Sequence, residues 1–282
     1  GLSACGGAPQ SPGGQSSSTP EDGPKDEVII SISSEPETLD PCQGWGHGAT
    51  PLVQSTLVEY RQDMSFVNDL AEDYTLSEDG LTWTFRLRDD VTWVDVDGNE
   101  KAKCVSQDWC TAMEWMLNFH KNDAVNSTLL RQMVKGAEEY FQTVTDMDKD
   151  AALALTATDD LFKNTVGIET PDDYTIVYHC SKVAPYFDSL AVSAALLPLS
   201  QAQIDEMGIE GVKSQDNTTM WYNGPYVISL FIMDNTKVFT PNPTYWDKDC
   251  YLFDSVTILM LDDSLVGQTM FMAGDVDTCN LN

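Results

Sequence analysis

Alternating apolar and polar positions predict the clearest strand of this chain between two turn signals. In "SEDGLTWTFRLRDDVTWVDVDG" every second residue from Leu81 to Leu87 is apolar, while threonines and arginines take the other side. The apolar face comprises Leu81, Trp83, Phe85 and Leu87. The pair Asp89-Asp90 is expected to turn the chain, so that Val91 and Trp93 return beside this strand. We therefore predict a β-meander with one side exposed to solvent.

Apolar residues at helical spacing predict helices after this meander. The first helix is expected to begin with Ser106 as its N-cap. Its apolar stripe comprises Trp109, Ala112, Met113, Met116 and Phe119, and that of a second helix comprises Leu129, Leu130, Met133, Val134, Ala137 and Phe141. Further helices are predicted from Pro185 and after Ser200, and the latter is expected to end at Gly208.

Other strands are predicted far apart along the chain, where β-branched and aromatic residues alternate with other types. They lie in "EVIISIS" from Glu27, "DDYTIVYHC" from Asp172, "GPYVISLFI" from Gly224 and "DSVTILML" from Asp254. Because helices separate these strands, the pattern predicts a mixed α/β (α+β) fold.

The chain has 282 residues and a formal net charge of −30. This acidic excess argues against nucleic-acid binding, which requires a basic face, and against docking on an anionic membrane through protein side chains. We interpret it as the acidic surface of an exported protein, with a cation-attracting site as the alternative. No run reaches the ~18 apolar residues of a membrane-spanning helix.

Seven cysteines, at positions 5, 42, 104, 110, 180, 250 and 279, form no CxxC pair. Residues 6–26 are rich in Gly, Ser and Pro and predict a flexible tether, which sets Cys5 apart from the others. The remaining six could form disulfides in several pairings or stay as buried free thiols.

No nucleotide-binding, esterase or zinc-protease motif occurs in the sequence. The best metal candidate is the acidic run at 146–150, but Ala151 and Ala157 occupy positions where a calcium loop of this spacing needs Gly and Glu. Of the three histidines, we expect only His47 to contact a ligand. The sequence therefore predicts no metal, no cofactor and no catalytic centre.

The order of several motifs carries more information than any one of them. The chain reads "SEPETLDP", "DLAEDYTLSEDGLTWTFRLRDDVTWVD", "CVSQDWCTAMEWML", "GIETPDDYTIVYHCSKVAPYFDSLAVSAALLPLS", "YNGPYVISLFIMDNTKVFTPNPTYWDKDCYLFDSVTILMLDD" and "AGDVDT". In this order the motifs closely resemble the peptide-binding group of solute-binding proteins, the receptors of bacterial ABC importers for oligopeptides, dipeptides and nickel. The resemblance extends from Val28 to the end of the chain.

The resemblance implies a two-lobed receptor that closes on its ligand like a hinged clamp, with essentially only the first lobe and its inserted subdomain present. The implied segments are 27–62 and 167–262 for the ligand-side part of lobe I, 63–166 for the inserted subdomain, and 263–282 for the start of the crossover into lobe II. Because most of lobe II would be missing, we expect this chain to bind ligand weakly or not at all on its own.

The beginning of the chain acquires a meaning from this resemblance. Leu2-Ser3-Ala4-Cys5 is similar to a bacterial lipobox, in which the cysteine sulfur receives a diacylglycerol anchor once the signal peptide is cleaved. Residues 1–26 are then the lipobox remnant and tether of a lipoprotein at the bacterial cell surface or in the periplasm. The implied partners are a peptide, an ABC-importer permease and the membrane through the lipid on Cys5, and the implied state is a monomer.

In the resembled family, the loop after "LDP" faces the cleft and offers backbone groups to the peptide. Here the corresponding predicted ligand-binding residues are Gly44, Trp45, Gly46 and His47. Trp45 could equally pack between the lobes. The turn "YNGPY" is interpreted as mainly architectural, with Tyr222 and Asn223 as the members that could reach the cleft.

The favoured hypothesis is an extracellular lipoprotein that captures oligopeptides and delivers them to a membrane permease without catalysis. A receptor of the same family for nickel or another small solute is an alternative, although only His47 offers a histidine for the cleft. The rival from another class is a truncated or non-transport fragment that acts as a surface interaction domain. An enzyme ranks last, because no catalytic constellation supports it.

Overall fold

A computed structural model describes most of the chain after the predicted tether. The described residues are 27–32, 53–60, 66–122, 127–187, 194–250, 253–261, 269–270, 272–274 and 277. Most of the helix predicted from Pro185 lies outside them.

A four-stranded sheet joins the beginning of the described chain to its later part. In sheet order its strands are β1 (Glu27–Ile32), β12 (Ser255–Met260), β11 (Thr236–Pro241) and β10 (Tyr226–Ile232). β1 runs parallel to β12, whereas the other neighbours are antiparallel. The strands predicted at β1, β10 and β12 are confirmed. β11 was missed, because the buried positions of its alternation include a charged residue, Lys237.

A second four-stranded sheet is antiparallel throughout. In sheet order its strands are β4 (Ala71–Leu76), β5 (Thr82–Leu87), β9 (Thr175–His179) and β8 (Ile168–Asp172). Trp83, Phe85 and Leu87 are buried, which confirms the apolar face predicted for β5. Phe85 lies opposite Ile176 of β9, so the buried face continues from one strand to the next.

The predicted meander is wrong at its third strand. β6 (Thr92–Val94) pairs with β7 (Glu100–Lys103) in a separate hairpin, and the edge of β5 where β6 was expected is occupied by β9. Val94 instead exchanges two backbone hydrogen bonds with Tyr222, at 2.9 and 2.8 Å. A further short hairpin pairs β2 (Val58–Tyr60) with β3 (Phe66–Asn68).

The helices lie mainly between β7 and β10. In chain order the described helices are α1 (Gln107–Leu117), α2 (Phe119–Asn122), α3 (Thr128–Met133), α4 (Ala137–Thr145), α5 (Lys149–Leu153), α6 (Asp160–Thr165) and α7 (Gln201–Lys213). α1 is buried on nearly every side rather than along one stripe. Ser106 precedes it without a side-chain cap, because the Ser106 hydroxyl donates to the Asp172 carbonyl at 2.6 Å. The capping role predicted for Ser106 is therefore wrong.

The second predicted helix is divided into α3 and α4. Val134 lies between them and forms an antiparallel bridge with Cys180, which interrupts the helical hydrogen bonding. α7 follows Ser200 as predicted, and its helical geometry breaks at Gly208, where φ is 74°. The helix was predicted to end at Gly208; its geometry does break there, in a conformation that favours glycine, but helical turns resume and continue to Lys213.

The described residues form two hydrophobic cores, and the chain passes from one core to the other more than once. The larger core contains the second sheet and most helices, and the smaller one contains the first sheet. Neighbouring residues enter different cores at Trp93–Val94 and at Trp221–Tyr222. The second sheet takes β4 and β5 from segment 63–166 and β8 and β9 from segment 167–262, so the predicted division crosses one sheet and stays a prediction. The mixed α/β class is confirmed.

Candidate functional site

Most of the predicted site residues lie outside the part of the chain that the structure describes. These residues are Gly44, Trp45, Gly46, His47 and Cys5. Tyr222 and Asn223 are described, as are the residues from Val53 to Leu57, which we call the 53–57 segment. This segment comes soon after the predicted ligand loop in the sequence, and the turn at Asn223 contacts it directly.

Tyr222 is held through both its backbone and its side chain. Its backbone pairs with Val94, and its hydroxyl donates to the Asn217 carbonyl at 2.6 Å. The side chain is fully buried in the smaller core, and this burial raises the pKa of the phenol. A direct ligand contact by Tyr222 stays a prediction.

Asn223 bridges two segments that are distant in the sequence. Its Oδ1 accepts a hydrogen bond from the Ser55 amide at 3.1 Å, and its Nδ2 lies 3.9 Å from Cys104 Sγ. The residue is only 1% exposed, so both ends of its side-chain amide are used inside the protein. A ligand contact by Asn223 also stays a prediction.

Gly224 approaches the 53–57 segment so closely that no side chain fits between them. A Cβ at this position would lie 2.5 Å from the carbonyl carbon of Val53 and 2.6 Å from the amide nitrogen of Gln54. The Gly224 amide donates to the Val53 carbonyl at 3.0 Å, and the Gly224 carbonyl accepts from Asn242 Nδ2 at 3.0 Å. The turn therefore depends on glycine for a close contact between two backbones.

Asp69 is a buried carboxyl that contacts the same segment. Its Oδ1 accepts hydrogen bonds from the Tyr245 hydroxyl at 3.3 Å and from Trp246 Nε1 at 3.2 Å. Ser55 Oγ lies 3.2 Å from the Tyr245 hydroxyl, so Tyr245 connects the carboxyl to the 53–57 segment. Desolvation outweighs these donors and raises the pKa of Asp69 from 3.8 to about 7.

Two charged residues, Glu59 and Arg88, lie near Asp69. The negative charge of Glu59 raises the pKa of Asp69 further. The guanidinium carbon of Arg88 lies 3.8 Å from the centre of the Trp246 ring, a cation–π contact, while Arg88 also pairs with Asp90 at 2.8 Å.

A second buried carboxyl, Asp108, lies in the first turn of α1. Its Oδ2 accepts hydrogen bonds from Trp93 Nε1 at 2.8 Å and from the Val105 amide at 3.1 Å. Burial raises the pKa of Asp108 to about 7. The Cys104 thiol contacts both this carboxyl and Asn223, which connects Asp108 to the turn. Burial also raises the pKa of that thiol, so it stays protonated and unreactive at neutral pH.

The other candidate residues have structural partners. His120 Nε2 lies 3.2 Å from the Thr145 carbonyl, and His179 pairs with Glu169 at 3.0 Å. Within the acidic run at 146–150, Asp148 accepts a hydrogen bond from the Ala151 amide at the start of α5. In the described part of the chain no group of three metal-ligating side chains occurs.

The described cysteines whose side chains are placed are buried free thiols, namely Cys104, Cys110 and Cys180. This is one of the two alternatives that the sequence left open. Burial raises the pKa of the Cys110 thiol to about 12, so it too stays protonated at neutral pH.

Sequence reasoning missed the residues that surround the 53–57 segment, above all Asp69, Tyr245 and Trp246. The one local signal is the position of Asp69 directly before the buried pair Leu70-Ala71. Its side-chain partners lie 176 and 177 residues further along the chain, so no periodic pattern could connect them. The resulting network holds together backbone segments that are far apart in the sequence.

Comparison with known proteins gives a consistent result. The family described as "Bacterial extracellular solute-binding proteins, family 5 Middle" matches residues 65–282. The oligopeptide-binding protein AliA of Streptococcus pneumoniae is 28% identical over 214 residues, which cover 76% of this chain and 30% of AliA. The periplasmic oligopeptide-binding protein OppA of Haemophilus influenzae is 26% identical over 257 residues, which cover 90% of this chain and 43% of OppA.

Solved structures show the same fold. Haemophilus influenzae OppA in complex with RPPGFSPFR aligns with a TM-score of 0.74 and 24% identity, covering 89% of this chain and 45% of that one. Listeria monocytogenes OppA bound to peptide aligns with a TM-score of 0.75 and 19% identity, covering 89% and 46%. The chain thus spans less than half the length of the relatives it matches. Across the residues that are described, no helix combines the length and apolar character needed to cross a bilayer.

Proposed function

We propose that this chain, which belongs to the bacterial extracellular solute-binding proteins of family 5, captures oligopeptides and delivers them to the permease of an ABC importer. The relatives matched across most of the chain are substrate-binding proteins rather than enzymes. The observation that carries the proposal is that these relatives are named for oligopeptide binding, and that structures with this fold hold a peptide.

The proposed ligand contacts are made by the loop before the 53–57 segment. Its proposed members are Gly44, Trp45, Gly46 and His47. The glycines would let a peptide backbone approach closely, and Trp45 offers an aromatic surface. Tyr222 and Asn223 remain proposed members of the site, and Asn223 contacts the 53–57 segment, which follows the loop in the sequence.

A direct binding measurement tests this proposal. Isothermal titration of the native protein from its source cells with RPPGFSPFR should show saturable binding, whereas a mixture of its constituent amino acids or Ni²⁺ should show none. Gly46→Val should weaken peptide binding because a side chain blocks the approach of the peptide backbone, and Gly7→Val in the tether serves as the matched control. Binding of Ni²⁺ in place of peptide, or equal affinity in Gly46→Val and the parent chain, would contradict the proposal.

We also propose that Cys5 carries a diacylglycerol anchor and that residues 6–26 are the tether between membrane and folded part. The support is the Leu2-Ser3-Ala4-Cys5 string followed by a Gly/Ser/Pro-rich segment. The test is the intact mass of the native protein extracted with detergent from the membranes of its source cells. A lipid-modified Cys5 is expected, and an unmodified one would rule out the anchor without affecting the peptide proposal.

A further inference from the structure

We propose that residues 242–246, "NPTYW", form a brace that makes the two hydrophobic cores open and unfold as one unit. The inference goes beyond the proposed function, because it involves no ligand. The brace follows β11, whose Phe239 lies in the smaller core, and it ends at Trp246, which packs against the larger core. It contains no helix or strand, so it acts through its contacts with other segments.

Asn242 attaches the first end of the brace to the entrance of β10. Its amide donates to the Pro225 carbonyl at 2.8 Å, and its Nδ2 donates to the Gly224 carbonyl at 3.0 Å. Its Oδ1 accepts from the Thr244 amide at 3.1 Å, which stabilises a turn within the brace. Asn242 is only 1% exposed, and Tyr226, the first residue of β10, belongs to the smaller core. This end of the brace is therefore fixed to the smaller core.

Trp246 attaches the other end of the brace to the second sheet. Its Nε1 donates to Asp69 at 3.2 Å, and its ring centre lies 3.8 Å from the guanidinium carbon of Arg88. The Arg88 amide donates to the Leu70 carbonyl at 2.9 Å, and both Leu70 and Leu87 belong to the larger core. This end is therefore fixed to the larger core, through its own packing and through residues beside β4 and β5.

The middle of the brace contacts the hairpin of β6 and β7. Pro243 lies so close to the turn of this hairpin that a Cβ on Gly98 would meet Pro243 Cγ at 2.6 Å. Thr244 Oγ1 lies 3.3 Å from Thr92 Oγ1 in β6. Because β6 runs from the larger core into the smaller one, the brace contacts a strand in which the chain passes between the cores.

Tyr245 connects the brace to another passage between the cores. Its hydroxyl lies 3.2 Å from Ser55 Oγ and donates to Asp69 at 3.3 Å. Ser55 lies in the 53–57 segment, which begins in the smaller core with Val53 and ends in the larger core with Leu57. The brace therefore supports the chain at both of these passages.

Contacts of this kind decide whether two cores behave as one. Cores that share only a chain connection open separately, and the weaker core opens first. Buried hydrogen bonds and packed rings that reach both cores remove this independence, because neither core opens unless these contacts break as well. Replacing a residue that only adds stability lowers the resistance of both cores together, whereas loss of a brace separates them.

The experiment is pulsed hydrogen exchange during urea denaturation of the native protein, with the variants introduced into its gene. Fragments from α1 and β5 report on the larger core, and fragments from β10 and β11 report on the smaller one. In the parent protein both sets should lose protection at the same urea concentration, within about 0.3 M. In Asn242→Ala/Trp246→Ala the two midpoints should differ by about 1 M or more.

Ile176→Ala is the matched control. Ile176 lies in the larger core on β9, opposite Phe85 and outside the brace, and its replacement leaves a cavity there. With the brace intact, this change should lower the midpoints of both cores equally, by about 1 M. Combined with Asn242→Ala/Trp246→Ala, it should lower only the midpoint of the larger core.

Two results would overturn the inference. One is a parent protein whose two cores lose protection at different urea concentrations. The other is a brace variant in which both midpoints fall together, which would mean that these residues only add stability. If Asn242→Ala/Trp246→Ala does not fold, Tyr245→Phe/Trp246→Phe decides the question, since it keeps aromatic rings at both positions and removes their hydrogen bonds. Its two midpoints should differ by about 0.5 M.

Discussion

Glu114 in α1 and Asp69 beside the 53–57 segment are both buried carboxyls, but different partners stabilise them. Glu114 contacts the ammonium of Lys121 and accepts hydrogen bonds from Tyr140 at 2.8 Å and Asn118 at 3.2 Å. Asp69 accepts from neutral donors, the Tyr245 hydroxyl among them. Burial raises the pKa of both carboxyls, but Lys121 opposes this effect at Glu114.

The comparison shows that a buried carboxyl can be stabilised either by a charged partner or by neutral hydrogen-bond donors. A buried ion pair depends on both partners, since either one alone leaves an uncompensated charge in a desolvated site. Neutral donors satisfy a carboxyl whether or not it is charged, and they leave it able to titrate near neutral pH. The Glu114–Lys121 pair is therefore expected to be sensitive to mutation, whereas Asp69 is expected to make stability sensitive to pH.

The largest effect should come from breaking the buried ion pair. Lys121→Met leaves Glu114 buried without its cation, so the free energy of unfolding should fall by about 3–5 kcal/mol in urea denaturation. The double variant Glu114→Gln/Lys121→Met removes both charges and should recover part of this loss. If the double variant is no more stable than the single one, Lys121 stabilises the helices by packing rather than by its charge. The contrast between Glu114 and Asp69 then no longer holds.

The pH dependence of stability should reveal the titration of the two buried aspartates. Asp69 and Asp108 have pKa values of about 7 in the folded protein against an ordinary value of 3.8, so the folded protein binds more protons between these limits. Their contribution is largest at low pH and is lost as the pH rises through about 7. Raising the pH from 5 to 8 should therefore lower the free energy of unfolding by about 3 kcal/mol for each of the two carboxyls.

Urea denaturation from pH 5 to pH 8 measures this slope. Asp69→Asn and Asp108→Asn should each remove about half of it, since each removes one of two similar groups. A slope that persists in the double variant would instead reflect general repulsion in a chain of net charge −30.

Replacing Gly224 tests the backbone contact at the 53–57 segment. In Gly224→Ala the new Cβ meets backbone atoms at 2.5–2.8 Å, so the turn must move and stability should fall by about 1–3 kcal/mol. Gly208→Ala is the matched control. Its Cβ meets nothing within 4 Å, and only the left-handed φ of 74° opposes it, at about 1 kcal/mol. Unchanged stability in Gly224→Ala would contradict the close approach, because Gly224 lacks the positive φ that opposes a side chain at Gly208.

Local patterns predicted local structure in this protein, because they depend on a few neighbouring residues. The apolar face of β5 follows from the alternation of Trp83, Phe85 and Leu87, and the break in α7 follows from Gly208. The placement of β6 was wrong, since the partner that β5 takes on that edge is β9, far along the chain.

The surroundings of Asp69 could not be predicted for the same reason. In the sequence Asp69 resembles any polar residue before a strand. No neighbouring residue indicates that it contacts Tyr245 or Trp246. Burial of the carboxyl results from tertiary packing of segments about 176 residues apart. The resemblance to a family supplied the function class, whereas the contacts around Asp69 depend on the folded structure.

Breaking an exposed ion pair should give the smallest loss of stability. The contrast would show that burial causes the large loss predicted for Lys121→Met. Arg131 pairs with Glu138 at 2.6 Å and lies 3.8 Å from the centre of the Phe141 ring. Arg131→Met should cost at most about 1 kcal/mol in urea denaturation, because solvent already screens both charges. Raising the salt concentration from about 0.05 to 0.5 M should erase most of that cost, whereas the loss in Lys121→Met should barely change. A loss at Arg131 as large and as independent of salt as that at Lys121 would mean that desolvation does not separate the two pairs, and the contrast between Glu114 and Asp69 would then need another cause.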